Sequence, residues 1–122
     1  MLDGGGLFIE IAQITTQRSR LRTVVRETLV DGGWRKAARF DAYDVAILLT
    51  VDRLSRRIDA DNVAKALLDA LTGLVWQDDR QIRRLVVEKQ AQPMGAIVPA
   101  IQMRAMAFDG VSLRDEFEAI RR

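Results

Sequence analysis

Four aspartates and a lysine near the middle of the sequence have the residue types and spacing of a metal-dependent hydrolytic site. Asp59 and Asp61 are two residues apart, where the chain is predicted to pass from a loop into a helix. In an extended conformation such residues point to the same side, and two neighbouring carboxylates repel each other unless a cation lies between them. Asp78 and Asp79 follow the end of that helix, where the chain could turn back toward the first pair.

Carboxylates from Asp59, Asp61 and one of the later pair would leave several positions around Mg²⁺ open to water and phosphate. This arrangement suits phosphodiester hydrolysis, because the metal lowers the pKa of a bound water and neutralises charge that develops on the phosphate. Lys65 lies one helical turn after Asp61 on the same face, where it could stabilise the transition state or the leaving oxygen.

Ordinary structural roles would also explain these residues. Asp61 could be only a helix N-cap, Asp59 could pair with a neighbouring arginine, and the later aspartates could form a turn. Lys65 and Asp69 could be a surface ion pair four residues apart. Spacing alone leaves both interpretations open.

Composition narrows the chemistry further. The chain has 122 residues, 48% of them apolar and 30% charged, which predicts a single globular domain over 1–122. It contains neither cysteine nor histidine, which excludes disulfides, thiolate or histidine metal sites and Ser–His–Asp triads. No apolar run reaches the roughly 18 residues of a membrane span, and the acidic start lacks the basic region of a signal peptide, so we expect a cytoplasmic protein with no membrane partner.

Arginines cluster in three segments, although the net charge is only +2. Any one cluster is typical of a solvated surface, but three together favour a polyanionic partner. The predicted DNA-binding residues are Arg53, Arg56, Arg57, Arg83 and Arg84.

Hydrophobic periodicity predicts the elements that must position these residues. The predicted strands cover residues 7–11, 42–51, 82–89 and 97–106, and the predicted helices cover residues 16–30, a segment from Asp61 or Asn62 to near Gly73, and a C-terminal segment that Ser112 opens. The order β, α, β, α, β, β, α predicts an α+β domain, a small mixed β-sheet packed with helices.

The residues around the aspartates form a longer pattern. It consists of Arg57-x-Asp59-x-Asp61-Asn62-x-x-Lys65, Asp69-Ala-Leu71, Asp78-Asp79-x-Gln81-Ile82 and Lys89. This pattern resembles the signature of RusA-type Holliday junction resolvases over about residues 45–89. Residues 1–13 depart from the family, being short, rich in glycine and without the family's Pro-rich loop.

The resemblance implies a RusA-like fold and a homodimeric endonuclease that resolves four-way DNA junctions. It implies Mg²⁺ as cofactor, with Mn²⁺ as an alternative, held by Asp59, Asp61 and Asp79, and a catalytic role for Lys65 beside them. Asp78 would be a supporting acid. A homodimer also suits the reaction, since a two-fold axis delivers two equivalent sites to two strands of like polarity.

Two other classes of function remain open from the sequence. A non-catalytic nucleic-acid-binding module would need only the arginine clusters, with the aspartates as helix caps and turns. A small interaction protein would use its helices to dimerise without nucleic acid.

Overall fold

The elements of the computed structural model follow the predicted order. The structure describes residues 6–13, 17–34, 38, 41–52, 58–95, 97–110 and 112–122. Within them the strands are β1 (Leu7–Ile11), β2 (Tyr43–Val51), β3 (Ile82–Ala91) and β4 (Ile101–Ala107), and the helices are α1 (Arg18–Asp31), α2 (Ala60–Leu71) and α3 (Leu113–Arg121), with a short 3₁₀ helix at Asp79–Gln81.

The strands form one mixed sheet in the order β1-β4-β2-β3. β2 pairs in parallel with β3, whereas β4 is antiparallel to both of its neighbours, β1 and β2. Two parallel strands that follow each other need a crossover connection, and α2 supplies it. The predicted α+β class with a small mixed sheet is therefore confirmed.

Helices α1 and α2 cover one face of the sheet. Leu21, Val25 and Leu29 form one stripe on α1, and Leu67 and Leu71 belong to the stripe on α2, all of them buried in a single core. The alternate side chains of the strands point to the other face, where Phe8 and Val86 stay exposed by 42% and 49%. We call this second side the open face of the sheet.

Several element boundaries differ from the prediction by one to four residues, among them the starts of α2 and β4. α2 begins after Asp59, whereas Asp61 or Asn62 was the predicted cap. β4 begins at Ile101 and not at residue 97, since Pro99 has no N–H to donate to a neighbouring strand. Among the described residues, no helix has the length and apolar character that spanning a membrane requires.

Candidate active site

Asp59 is the N-cap of α2. Its backbone is extended, and its Oδ1 accepts a hydrogen bond of 3.0 Å from the N–H of Asp61. Capping of this kind satisfies an amide that the first turn of a helix leaves without a partner. The cap occupies one carboxylate oxygen toward the helix, and the side chain itself is exposed.

Asp61 lies in the first turn of α2, facing solvent. Its Oδ2 is 3.9 Å from the Nζ of Lys65, and the two side chains are 77% and 62% exposed. The predicted proximity of these two residues on one helix face is therefore confirmed. Asp59, Asp61 and Lys65 together form what we call the helix half-site.

Lys89 connects the helix half-site to the sheet through a hydrogen bond. It lies in β3, and its Nζ donates a hydrogen bond of 2.9 Å to the carbonyl of Ile58, the residue before the cap. The contact joins the last part of β3 to the loop that enters α2. The sequence pattern included Lys89, but the spacing did not show what it contacts.

Asp78 caps the short 3₁₀ helix at the other end of the crossover. Its carboxylate accepts hydrogen bonds from the guanidinium of Arg80, at 2.8 Å for Nη2, and from the backbone N–H of the same residue at 2.9 Å. These bonds hold the pKa of Asp78 well below its ordinary value, the guanidinium being the larger cause. Gln81 completes the turn, because its Oε1 accepts from the N–H groups of Gln77 and Asp78.

Asp79 follows directly and is exposed. The turn that carries it is held beside the start of β2, since Gln81 donates to the carbonyl of Asp41 at 2.9 Å. The ring of Trp76 also packs against Tyr43, the first residue of β2, with centroids 5.4 Å apart. Asp79 therefore lies at the end of the sheet where β2 and β3 begin.

The helix half-site and Asp79 lie at opposite ends of α2. A helix of this length spans roughly 18 Å, and the strand path from Ile82 to Lys89 covers roughly 20 Å. Among the described residues, which include all three predicted ligands, no three acidic side chains are close enough together to hold one metal ion. The prediction that Asp59, Asp61 and Asp79 converge within one chain is therefore wrong.

The donor chemistry nevertheless suits a hard divalent cation. Carboxylate oxygens are the ligands that Mg²⁺ prefers, and Asp59 and Asp61 present two of them at an exposed helix end. The carboxylates of the predicted site therefore lie at two separate places in one chain, and the helix half-site alone does not make the predicted three-ligand site.

The predicted DNA-binding arginines belong to two segments of the sequence. Arg53, Arg56 and Arg57 lie outside the described residues. Arg83 and Arg84 lie at the start of β3, near Asp79, where the guanidinium of Arg83 is 5.0 Å from the centroid of the Phe108 ring. Arg84 is half-buried and pairs in register with Asp44 of β2.

Asp44 is a buried acid that the sequence analysis did not single out. It is 8% exposed, and among the described residues its Oδ1 has no hydrogen-bond partner, although the Arg104 guanidinium lies 3.6 Å away. The sequence contains a signal for a buried acid here, because Asp44 is the single charged residue within the apolar strand 43–51.

Comparison with known proteins identifies one family. The family model described as Endodeoxyribonuclease RusA matches residues 13–102, which is 90 of the 122 residues. The match contains both the helix half-site and Asp79, and it ends near the start of β4, before α3. No curated protein matches the chain.

Proposed function

Because the chain belongs to the RusA endodeoxyribonuclease family, we propose that it is a divalent-metal-dependent endonuclease that resolves Holliday junctions by paired phosphodiester hydrolysis, in DNA recombination and repair. The observation that carries the proposal is the helix half-site, in which two carboxylates and a lysine meet at an exposed helix N-terminus. A cytoplasmic location, where the DNA substrate would be, is part of the same proposal.

The helix half-site has the groups that such a reaction needs. Asp59 and Asp61 offer hard oxygen ligands, and the positive end of the α2 dipole together with Lys65 favours a phosphate beside them. A bound Mg²⁺, or Mn²⁺ in its place, would supply an activated water and neutralise charge on the scissile phosphate. Lys89 would hold the entering loop so that Asp59 keeps its position.

The third ligand would come from a second copy of the chain. Asp79 lies too far from the helix half-site of its own chain to join the same coordination sphere, yet it is exposed and has basic neighbours in Arg83 and Arg84. A two-fold axis that brings Asp79 of one copy to the helix half-site of the other would complete two equivalent sites at once. The proposed homodimer is then needed for catalysis itself as well as for paired nicking.

The proposed DNA-binding arginines form two groups in the sequence, one close to each part of the proposed site. Arg53, Arg56 and Arg57 directly precede the helix half-site in the sequence, while Arg83 and Arg84 lie near Asp79. A dimer that joins the two ends would bring both groups to one substrate. Binding to phosphates releases counterions, so affinity for a junction should fall steeply as salt is raised.

The test is incubation of the protein with a synthetic four-way junction, with and without Mg²⁺. We expect paired symmetric nicks with the metal and binding alone without it. Asp59→Asn, Asp61→Asn and Asp79→Asn should each abolish cleavage and leave junction binding intact or stronger, because each removes negative charge that faces phosphates. Full cleavage by one of these variants would remove that residue from the proposed ligands.

One observation favours a different function, a DNA-binding module without catalysis. Asp59 caps α2 and Asp78 caps the 3₁₀ helix, which are the structural roles that this alternative assigns to the acids. The same assay separates the two functions. Junction binding that is indifferent to Mg²⁺, with no nick in any metal, would support the module and exclude the nuclease.

A further inference from the structure

Helix α3 carries an apolar stripe that the described part of its own chain leaves uncovered. Leu113, Phe117 and Ile120 are four and three residues apart and so lie on one face, where they remain 49%, 56% and 72% exposed. The family match ends at residue 102, so this helix lies outside the part of the chain that the family describes. A stripe of this kind on a short helix is unfavourable in water unless something packs against it.

The open face of the sheet is a second uncovered apolar surface. It forms a shallow groove of about 400 Å³ that runs across all four strands. Its floor contains apolar side chains from β1, β2 and β3, namely Phe8, Ala46, Leu48 and Val86. Four strands at a spacing of about 4.8 Å span about 14 Å, and α3, with nine residues, is about 14 Å long.

One flank of the α3 stripe carries guanidinium groups that could pair with acids of the groove. Asp44 lies on the open-face side of β2 and is nine-tenths buried. Among the described residues its Oδ1 has no hydrogen-bond donor, and the Arg104 guanidinium, which also lines the groove, is 3.6 Å from it. Glu88, on the rim of the groove, adds a second negative charge. On α3, Arg114 and Arg121 flank the apolar stripe on one side, with Glu118 between them and 3.5 Å from Arg121. A helix seated in the groove would bring these guanidinium donors close to Asp44 and Glu88.

We propose that α3 of each copy packs across the open sheet face of a second copy, with Arg114 or Arg121 donating to Asp44. In its own chain α3 is exposed along its whole length, so the groove there stays without its occupant. An exchange in which each copy gives a helix and receives one is self-complementary under a two-fold axis and closes at two chains. Because two helices fill two grooves, the buried apolar area is twice that of a single contact. A stable dimer needs a large buried area.

Chemical cross-linking tests which chain supplies the helix. The protein has no cysteine, so single cysteines can be introduced without background. Ile120→Cys in one preparation and Ala46→Cys in another are mixed and treated with a short bismaleimide, whose spacer tolerates small errors of register. We expect a cross-linked species of twice the chain mass. Asp115→Cys, on the opposite face of α3, is the matched control and should cross-link several-fold more slowly.

Three outcomes would overturn the proposal. Equal cross-linking by Ile120→Cys and Asp115→Cys would mean that the stripe does not face the groove. Faster coupling of Ile120→Cys to itself than to Ala46→Cys would mean that the α3 helices pair with each other. A chain that carries both cysteines and cross-links only within itself would place α3 on its own sheet.

Sedimentation equilibrium supplies an independent measurement. Phe117→Glu should raise the dimer dissociation constant by about tenfold or more, since it puts a charge into an apolar contact, whereas Ala119→Glu on the opposite face should leave it unchanged. Either Arg114→Glu or Arg121→Glu should weaken the dimer, whereas Arg122→Glu, with the same change of charge, should not. Equal effects of Phe117→Glu and Ala119→Glu, no greater effect of either arginine variant than of Arg122→Glu, or a monomer in the unsubstituted protein would overturn the inference. Neither measurement uses DNA or metal, so an inactive but dimeric protein would refute only the proposed function.

Discussion

At the scale of single residues, the hydrogen bond from Lys89 to the carbonyl of Ile58 predicts an effect on metal binding. It holds the loop that ends at Asp59, so Lys89 acts as a positioning residue for a proposed metal ligand. We expect Lys89→Met to raise the Mg²⁺ concentration needed for half-maximal cleavage by about 10-fold to 100-fold, the usual cost of losing support behind a ligand. A titration of cleavage rate against Mg²⁺ measures this.

The conservative variant supplies the control for that prediction. Lys89→Arg keeps a cationic donor and should recover most of the metal affinity. If Lys89→Met lowered thermal stability but left the Mg²⁺ titration unchanged, the lysine would have a structural role only.

The lowered pKa of Asp78 leads to a prediction about how stability depends on pH. Its hydrogen bonds with Arg80 hold its pKa below the ordinary value in the folded protein, so the carboxylate stabilises the fold where it is ionised in both states, above about pH 4. This contribution is lost as pH falls further, toward the folded pKa. Asp78→Asn should therefore lower Tm slightly at neutral pH, because the pair is exposed, and the difference from the unsubstituted protein should shrink below pH 4.

Thermal unfolding followed by circular dichroism between pH 2.5 and pH 7 is the appropriate measurement. A Tm difference that grew toward acid pH would contradict the assignment of the pKa shift to the turn around Asp78.

At the scale of elements, Asp59 has two roles that substitution can separate. As N-cap it stabilises α2, and as a proposed ligand it binds metal. Asp59→Ser retains a capping oxygen, so we expect it to fold with nearly unchanged stability and to lose cleavage. Asp59→Ala loses the cap as well and should lower the free energy of unfolding by about 1 kcal/mol.

Urea unfolding of the two variants, measured beside their cleavage rates, provides the comparison. Cleavage that followed stability, with Asp59→Ser active and Asp59→Ala inactive, would indicate that Asp59 acts as a helix cap alone.

At the scale of the whole molecule, the separation of the helix half-site from Asp79 predicts complementation between inactive variants. In a mixed dimer of Asp61→Asn and Asp79→Asn chains, one shared site carries both substitutions and the other carries neither. We expect the mixture to regain cleavage, and to nick one strand of the junction without resolving it, since each mixed dimer has one intact site.

The two outcomes of mixing differ qualitatively. If each chain held a complete site of its own, both sites of a mixed dimer would be defective and mixing would restore nothing. Denaturing gels of a junction labelled on each strand in turn distinguish the single nick from paired nicks. Each variant alone, at the same total concentration, is the control.

The sequence by itself determined the features that depend on residues close together in the chain. Apolar alternation and, for β2, a long apolar run predicted the strands, apolar residues at helical spacing predicted α2, and Ser112 marked the start of α3. The contact between Asp61 and Lys65 also followed from spacing, because residues four apart on a helix are always neighbours. The motif pattern then identified the family, which the family match over residues 13–102 confirmed.

Only the tertiary structure decided where distant segments meet. The 19 residues between Asp59 and Asp79 allowed a return to the first pair. The parallel pairing of β2 with β3 forces α2 to run back along the sheet, however, and leaves Asp79 at its other end. The contact between Lys89 and Ile58, and the burial of Asp44, depend on the same pairing. Spacing determines such positions only within one helix or strand, because the direction of a crossover is set by which strands pair.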